Sequence, residues 1–182
     1  MPAGDDKGSR SGRNALEWIA IVAGALIVAL VVKTFLIQAF FIPSLSMYDT
    51  LDKGDRVLVN KLSYRLHEIH RGDIIVFERP EGVPDNGIKD LIKRVIGLPG
   101  ETIESRDGRV YVDGKRLDED YLADGVTTVN LDRQTIPDDH VFVMGDNRGN
   151  SEDSRVFGPI SDDLVVGRAF VLVWPITQVH LL

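Results

Sequence analysis

Apolar positions along the chain fall into one long run followed by many short ones. The long run covers residues 18–37 and contains one charged residue, Lys33. A helix of this length spans about 30 Å, the thickness of the hydrocarbon core of a bilayer. Lys7, Arg10 and Arg13 precede the run, and basic residues collect on the cytoplasmic side of membranes. The pattern predicts one transmembrane helix with a cytoplasmic N-terminus.

Two other interpretations of the long run are weaker. A cleavable signal peptide has an apolar stretch of about 7–15 residues and a small-residue cleavage site. Here the run instead continues through Phe40, Phe41 and Ile42 into Pro43. A buried core helix would leave the basic residues in front of it unexplained.

Beyond the long run, short apolar or alternating segments are separated by turn residues, which is typical of β-strands. No long helical periodicity follows, so we expect a mainly β, antiparallel domain. Trp174, at the end of the last candidate, is expected to pack in the core. The strand candidates are residues 56–60, 73–77, 91–96, 102–105, 109–112, 141–144 and 165–174.

Turn signals indicate how the chain is divided. Asp107-Gly108 is a strong hairpin signal, and Asp113-Gly114 marks a second tight turn. Residues 123–139 are polar and acidic, as in a loop. We therefore expect a basic cytoplasmic tail (1–14), a transmembrane anchor (15–37) and an extracytoplasmic β-rich domain (38–182). That domain is expected to carry a hairpin and loop insertion at about 102–139.

Composition narrows the class of function. A formal net charge of -7 argues against nucleic-acid binding, because phosphate backbones attract basic surfaces. The chain has no cysteine, which excludes disulfides and cysteine catalysis. His67 and His70 are spaced for one helix face but lack a third ligand nearby, so neither a metal nor a cofactor is expected.

Two segments combine residues that could form a protease site. Ser44 and Ser46 lie two positions apart, so their hydroxyls share a side of an extended chain. Within residues 91–96 the same alternation places Lys93 on a face with Leu91 and Val95. Apolar surroundings lower the pKa of a lysine from about 10.4 towards neutrality. A neutral lysine can accept the proton of a serine hydroxyl, so no histidine is required.

Each segment alone has an ordinary structural explanation. A Ser-x-Ser pair after proline is a common loop, and Lys-Arg in a strand is usually a solvated edge. Asp153 and Arg155 would form a surface ion pair worth about 0–1 kcal/mol. Gly-Asp-Asn-Arg at 145–148 is most often a turn. Their joint occurrence, in this order behind an apolar segment, is what favours a catalytic function.

Together the segments resemble those of bacterial signal peptidase I, the leader peptidase family. The resemblance runs from the apolar segment to about Trp174, and the single apolar segment is closer to the Gram-positive type. It implies a catalytic domain of signal-peptidase/LexA-like type. The matching segments are Ser-Leu-Ser-Met at 44–47, the strand at 71–77, Lys-Arg-Val-Ile-Gly-Leu-Pro-Gly at 93–100, and residues 145–158.

The resemblance implies a role for each matching residue. Ser46 would be the nucleophile, Lys93 the general base, and Ser44 an oxyanion donor beside the Ser46 N–H. Ser151 would orient the lysine, and Asp153 and Arg155 would form an ion pair that supports the site. One position departs from the family: Asp49 stands where a proline is usual, which predicts a looser turn after the nucleophile.

The resemblance also implies the substrate and the surroundings. Substrates would be exported preproteins with small residues at the first and third positions before the cut, as in Ala-x-Ala. Candidates for the shallow apolar walls are Phe40, Ile42, Leu91 and Ile92, which are close in sequence to Ser46 and Lys93. The expected partners are these preproteins, the lipid bilayer and a nearby secretion translocon, with the enzyme in the bacterial plasma membrane.

Two alternatives remain. Another Ser/Lys protease of related fold, such as a self-cleaving repressor, would normally carry a DNA-binding helical domain instead of the apolar segment. An inactive membrane-tethered binding domain would not need every catalytic residue to be present.

Overall fold

The computed structural model describes residues 7–31, 36–84 and 87–182, and within its first helix the side chains from Glu17 to Leu30. The chain forms two compact units, one ending at Ile37 and one over Gln38–Leu182.

The first unit contains helix α1, Lys7–Val31. Its large apolar side chains are more than half exposed, among them Trp18 at 67% and Leu30 at 66%. Across the described ranges, no helix combines the length and apolar character needed to cross a membrane. The predicted run of residues 18–37 is only partly described, since residues 32–35 lie outside these ranges. Its last residue, Ile37, is placed in a strand.

The second unit is built mainly from strands, with helices of only four residues. These helices are α2 (Ser63–Leu66) and α3 (Ser154–Phe157). The strands are β1 (Ile37–Phe41), β2 (Arg56–Asn60), β3 (Ile74–Glu78), β4 (Asp90–Gly97), β5 (Thr102–Arg106), β6 (Arg109–Val112), β7 (Lys115–Arg116), β8 (Gln134–Thr135), β9 (His140–Met144), β10 (Ile160–Ser161), β11 (Val165–Trp174) and β12 (His180–Leu181).

The mainly β, antiparallel fold is confirmed. The larger sheet has eight strands in the order β1-β2-β11-β3-β4-β9-β10, and β12 pairs with β11. Its pairs β2–β11, β11–β3, β3–β4 and β4–β9 are all antiparallel. All seven predicted strands are present, with bounds that are correct or differ by one residue at one or both ends. The missed strands β7, β8, β10 and β12 have two residues each, too few to show alternation. The five-residue strand β1 was also missed, because its residues form the end and the continuation of the long apolar run.

A second, four-stranded sheet has the order β7-β6-β5-β8. We call residues 102–139, which contain it, the small lobe. It occupies the region predicted as a hairpin and loop insertion. Ile103, Val110 and Ile136 of the small lobe share one buried cluster with Phe142 and Met144 of β9. The small lobe is therefore joined to the larger sheet by a continuous apolar core.

Both faces of β3 are buried. Ile74 and Val76 belong to one apolar cluster, whereas Ile75 and Phe77 belong to another. This is the alternation that a strand covered on both faces requires. Because β4 pairs with β3 along its length, the two clusters also fix the position and register of β4.

Trp174 does not pack in the core as expected. It is 48% exposed, and the Arg56 guanidinium carbon lies 6.0 Å from its ring centroid. Trp174 is the last residue of β11 and is followed by Pro175, so the chain leaves the sheet there.

Gly167 allows the close approach of β11 and the end of β2. A Cβ at Gly167 would lie 2.4 Å from the Asn60 carbonyl oxygen and 3.0 Å from the Lys61 Cα. These backbone atoms cannot move aside as a flexible side chain could. We expect Gly167→Ala to lower the free energy of unfolding by about 1–3 kcal/mol in urea denaturation. Gly149→Ala is the control, since no atom lies within 4 Å of its Cβ position. Equal stabilities of the two variants would contradict this account.

Candidate active site

Ser46 lies in the turn that follows β1. Backbone hydrogen bonds from Tyr48 N to Leu45 O (3.1 Å) and from Leu51 N to Met47 O (2.7 Å) close this turn. Met47 and Leu51 are 0% and 1% exposed and anchor it in the core. Ser46 itself is 8% exposed, so its hydroxyl is fixed at the edge of the interior.

Asp49 has a φ of 78° in this turn. Proline, whose φ is fixed near −65°, could not adopt this conformation, whereas aspartate is among the residues that tolerate it. Thr50 hydrogen-bonds the turn through its backbone N–H to Met47 O at 3.0 Å. The turn thus adopts a conformation at Asp49 that proline could not adopt, and its backbone remains hydrogen-bonded.

Lys93 comes from the middle of β4, opposite Ile75 of β3. Its Nζ lies 2.7 Å from Ser46 Oγ and 3.1 Å from the Ile92 carbonyl oxygen. Lys93 is 3% exposed. A neutral amine fits these two contacts: its lone pair accepts from the serine hydroxyl while one N–H donates to the carbonyl.

Burial lowers the pKa of Lys93 to about 8. The carboxylates of Asp153, Asp146 and Glu152 act in the opposite direction and raise it. The desolvation effect is larger than the attraction to these three charges. A substantial fraction of the amine is therefore uncharged just above neutral pH.

Ser44 and Ser46 share a side of the chain, as their spacing predicts. Their Oγ atoms are 3.4 Å apart, and Ser44 is half-buried. A hydroxyl at this distance is close enough to donate to a negative charge that develops beside Ser46 Oγ.

Residues that follow β9 hold the backbone of the Ser46 turn. The Asn147 N–H donates to Ser46 O (3.1 Å), and the Asn147 side-chain amide donates to Leu45 O (3.0 Å). A Cβ on Gly145 would lie 2.3 Å from both Ser46 O and Ser151 Oγ. Glycine at position 145 therefore allows the segment of residues 145–158 to approach the Ser46 turn directly.

Asp153 and Arg155 form the expected ion pair, with Arg155 Nη2 2.8 Å from Asp153 Oδ2. Burial raises the pKa of Asp153, but the Arg155 guanidinium and the Gly145 N–H outweigh this and hold the pKa below its usual value. The same carboxylate accepts from Gly145 N at 3.0 Å. The pair thus holds the chain beside Lys93.

Ser151 is close to the site but makes no hydrogen bond to the lysine amine. Its Oγ is buried and has no hydrogen bond of normal geometry in the described part of the chain. Its electrostatic effect is on Asp153, whose charged form the hydroxyl stabilises. The expected role of Ser151 in orienting Lys93 stays a prediction.

Arg94 and Asp146 form a second buried ion pair that the sequence analysis did not assign. Arg94 Nη2 lies 2.7 Å from Asp146 Oδ2, and Arg94 Nε lies 2.9 Å from Oδ1. Asp146 Oδ2 also accepts from Thr50 Oγ1 at 2.6 Å, which connects the pair to the Ser46 turn. A signal was present in the sequence: if the strand that carries Arg94 is buried, the arginine needs an acidic partner.

A cleft of about 330 Å³ opens beside Ser46 and Lys93. Of the four wall candidates, Leu91 lines it, together with Val83 and Ile88 from the β3–β4 connection. Ile42 and Ile92 belong to a buried core cluster, and Phe40 packs against that cluster. A larger cavity of about 650 Å³ lies elsewhere, beside Tyr64 and Leu98, and none of the candidate residues lines it.

The arrangement supplies what acyl transfer needs. A hydroxyl contacts a base that is partly neutral, a second hydroxyl lies within 3.4 Å, and an open cleft gives access to an extended peptide. Lys93 and Ser46 are placed by two different elements, β4 and the turn after β1, and the segment that follows β9 holds that turn.

Comparison with known proteins supports a peptidase. The family model described as signal peptidase, peptidase S26, matches residues 15–174. A probable signal peptidase I-2 from Synechocystis is 43% identical over 168 residues, covering 92% of this chain and 77% of the relative. A signal peptidase IB from Staphylococcus aureus is 34% identical and covers 91% and 93% of the two chains.

A crystal structure of a signal peptidase I from Enterococcus faecalis is 34% identical to this chain. The match covers 56% of this chain and 97% of that structure, with a TM-score of 0.47. Because the family model matches well over half of the chain and relatives above 30% identity cover about nine-tenths of it, the chain belongs to the signal peptidase family, peptidase S26.

Proposed function

We propose that this chain is a membrane-bound endopeptidase that removes signal peptides from exported preproteins with a Ser46–Lys93 dyad. One contact carries this proposal: the 2.7 Å distance between Lys93 Nζ and Ser46 Oγ, with the lysine 3% exposed. An amine desolvated beside a hydroxyl serves as a general base near neutral pH.

The chemistry follows from these groups. Neutral Lys93 accepts the Ser46 proton as Oγ attacks the scissile carbonyl carbon and forms a tetrahedral oxyanion. The Ser46 N–H and the Ser44 hydroxyl donate to this oxyanion. Lys93 then gives its proton to the leaving amine, and an acyl-enzyme remains. Water that donates its proton to the same lysine hydrolyses the ester and restores Ser46.

Substrate selection would come from the cleft. An extended peptide beside β4 turns alternate side chains towards the enzyme, which explains how two positions separated by one residue can be read. Leu91 lines the cleft and remains the first wall candidate. Phe40, Ile42 and Ile92 lie in or against the underlying core, where they would shape the wall from behind. Small residues such as those of Ala-x-Ala suit a shallow surface of this kind.

Residues 15–37 are proposed as the membrane anchor, with residues 1–14 cytoplasmic and 38–182 extracytoplasmic. Supporting this are the apolar run of residues 18–37, the exposed apolar side chains of α1 and the preceding basic residues. Ser46 follows this run by nine residues, so enzyme and substrate would be confined near one membrane surface, close to the secretion translocon. Preproteins and lipid are therefore the proposed partners.

Substitution of either dyad residue tests the mechanism. Ser46→Ala and Lys93→Met should each reduce preprotein cleavage to background in a mass-spectrometric assay, with the fold retained by circular dichroism. Lys93→Arg should be equally inactive, because an arginine stays charged at every relevant pH. Lys115→Arg, on the exposed strand β7, is the matched control and should cleave normally. An active Lys93→Arg enzyme would exclude lysine as the base.

The pH dependence of kcat/KM provides a second test. Since only neutral Lys93 accepts the proton, the logarithm of kcat/KM should rise by one for each pH unit below the lysine pKa of about 8. Above this pKa, kcat/KM should level off. At pH 6 the expected value is about 1% of the plateau. The measurement is peptide cleavage between pH 6 and 10. A profile that is flat over this range would be incompatible with the proposed base.

The buried amine should also affect stability. The folded-state pKa lies below that of the unfolded chain, so the charged amine destabilises the fold at pH 7 and this cost disappears as pH rises from about 8 to 10.5. Lys93→Met should raise the free energy of unfolding by about 2–3 kcal/mol at pH 7 and by much less at pH 10.5. Lys115→Met, at an exposed site, should show no such pH-dependent gain. A Lys93→Met variant that is less stable at pH 7 would contradict the desolvation argument.

A further inference from the structure

The small lobe reaches the ion pair behind the dyad through Tyr121. The Arg94 guanidinium carbon lies 4.1 Å from the Tyr121 ring centroid, a cation–π contact. The Arg94 guanidinium therefore binds Asp146 through its N–H groups and has the Tyr121 ring against its planar face. The Tyr121 hydroxyl donates in turn to Glu119 Oε1 at 2.9 Å.

Glu119 makes a second connection from the small lobe to the same segment. Its Oε1 is 2.6 Å from Arg148 Nη2, and the two side chains are 9% and 0% exposed. Arg148 also donates from Nε to the Gly145 carbonyl oxygen at 3.1 Å. The small lobe thus contacts both arginines, one bound to Asp146 and one bound to Gly145.

Gly145 and Asp146 are the residues that connect these arginines to the nucleophile. Asp146 accepts from Thr50 in the Ser46 turn, and the following residue, Asn147, donates to Ser46 O. Every step between the Tyr121 ring and the Ser46 backbone is therefore a direct contact between buried or half-buried groups.

We infer that Tyr121 and Glu119 of the small lobe are positioning residues of this peptidase. They exclude water from the Arg94–Asp146 pair and fix Arg148 against Gly145, and so set the position of Ser46 relative to Lys93. This inference rests on the proposed dyad. Under this inference the small lobe contributes to catalysis, although none of its residues lines the cleft.

The physical reason is the dependence of an ion pair on its surroundings. Attraction between opposite charges strengthens where water is excluded and weakens where water enters. Loss of the Tyr121 ring would expose Arg94 to solvent and loosen its hold on Asp146. A displacement of the nucleophile by about 1 Å can reduce a rate by about 100-fold.

The small lobe contains its own control. Arg106 of β5 lies over the Tyr111 ring of β6 at 3.9 Å, which is the same type of contact made entirely within the small lobe. Arg106 is half exposed, and its acidic partner is Glu104 of the same strand. Tyr111→Ala therefore removes an equivalent arginine–tyrosine contact that is not connected to Ser46.

The experiment compares Tyr121→Ala, Tyr121→Phe and Tyr111→Ala in the full-length chain in detergent. A synthetic peptide with alanine at the first and third positions before the cut is the substrate, and kcat and KM are measured separately. Tyr121→Ala should lower kcat about 10–100-fold and leave KM within about twofold. Tyr121→Phe keeps the aromatic face over Arg94 and should stay within about threefold of wild type. Tyr111→Ala should retain the wild-type kcat.

The outcomes separate this inference from the proposed function. If wild type does not cleave the peptide in a Ser46-dependent manner, the proposed function itself fails. If wild type cleaves but Tyr121→Ala and Tyr111→Ala have equal kcat, only the positioning role is wrong. A loss confined to KM, or a Tyr121→Phe variant as slow as Tyr121→Ala, would also overturn it. Should Tyr121→Ala not fold, Tyr121→Leu keeps part of the apolar volume without a ring over the Arg94 plane, and its kcat should fall below that of Tyr121→Phe.

Discussion

An amine kept out of water beside a hydroxyl is the condition on which the rest of this structure depends. Lys93 has the Ile92 carbonyl and Ser46 Oγ as its polar neighbours, within a strand covered on both faces. Three carboxylates nearby favour its charged form, yet burial is the stronger effect. Burial, more than the neighbouring charges, therefore determines the protonation state of Lys93. Burying this amine lowers the stability of the fold at neutral pH, as is common where a functional group must be kept in an unfavourable state.

The fold produces this environment by bringing together three segments that are far apart in sequence. Apolar alternation fixes β3 and β4, and β4 carries Lys93. Met47 and Leu51 anchor the Ser46 turn in the same core. The segment after β9 then joins the two, because Gly145 has no side chain to separate it from the turn. Beside the dyad, two buried arginines are paired with carboxylates: Arg94 with Asp146 and Arg155 with Asp153.

Much of this was predictable from the sequence, and the gaps have physical causes. Period-two alternation located β2, β4, β6, β9 and β11 because those strands have at least four residues and a buried face. It missed the two-residue strands, which have no period, and β1, which continues directly from the long apolar run. It also missed the outward position of Trp174, which depends on where β11 ends. The resemblance named Ser46 and Lys93, but the Arg94–Asp146 pair and the contact of Tyr121 with Arg94 join residues over twenty positions apart. Such contacts are set by the tertiary fold, which a single sequence does not reveal.

Lys93 and Arg94 are neighbours in β4 that point to opposite faces, one towards the nucleophile and one towards Asp146. A shift of β4 by one residue would exchange them and place a permanent cation against Ser46. An insertion or deletion of one residue within β4 would therefore break the contact between Lys93 and Ser46 even if the rest of the strand kept its composition. The register of β4, more than its composition, therefore determines whether Lys93 faces Ser46.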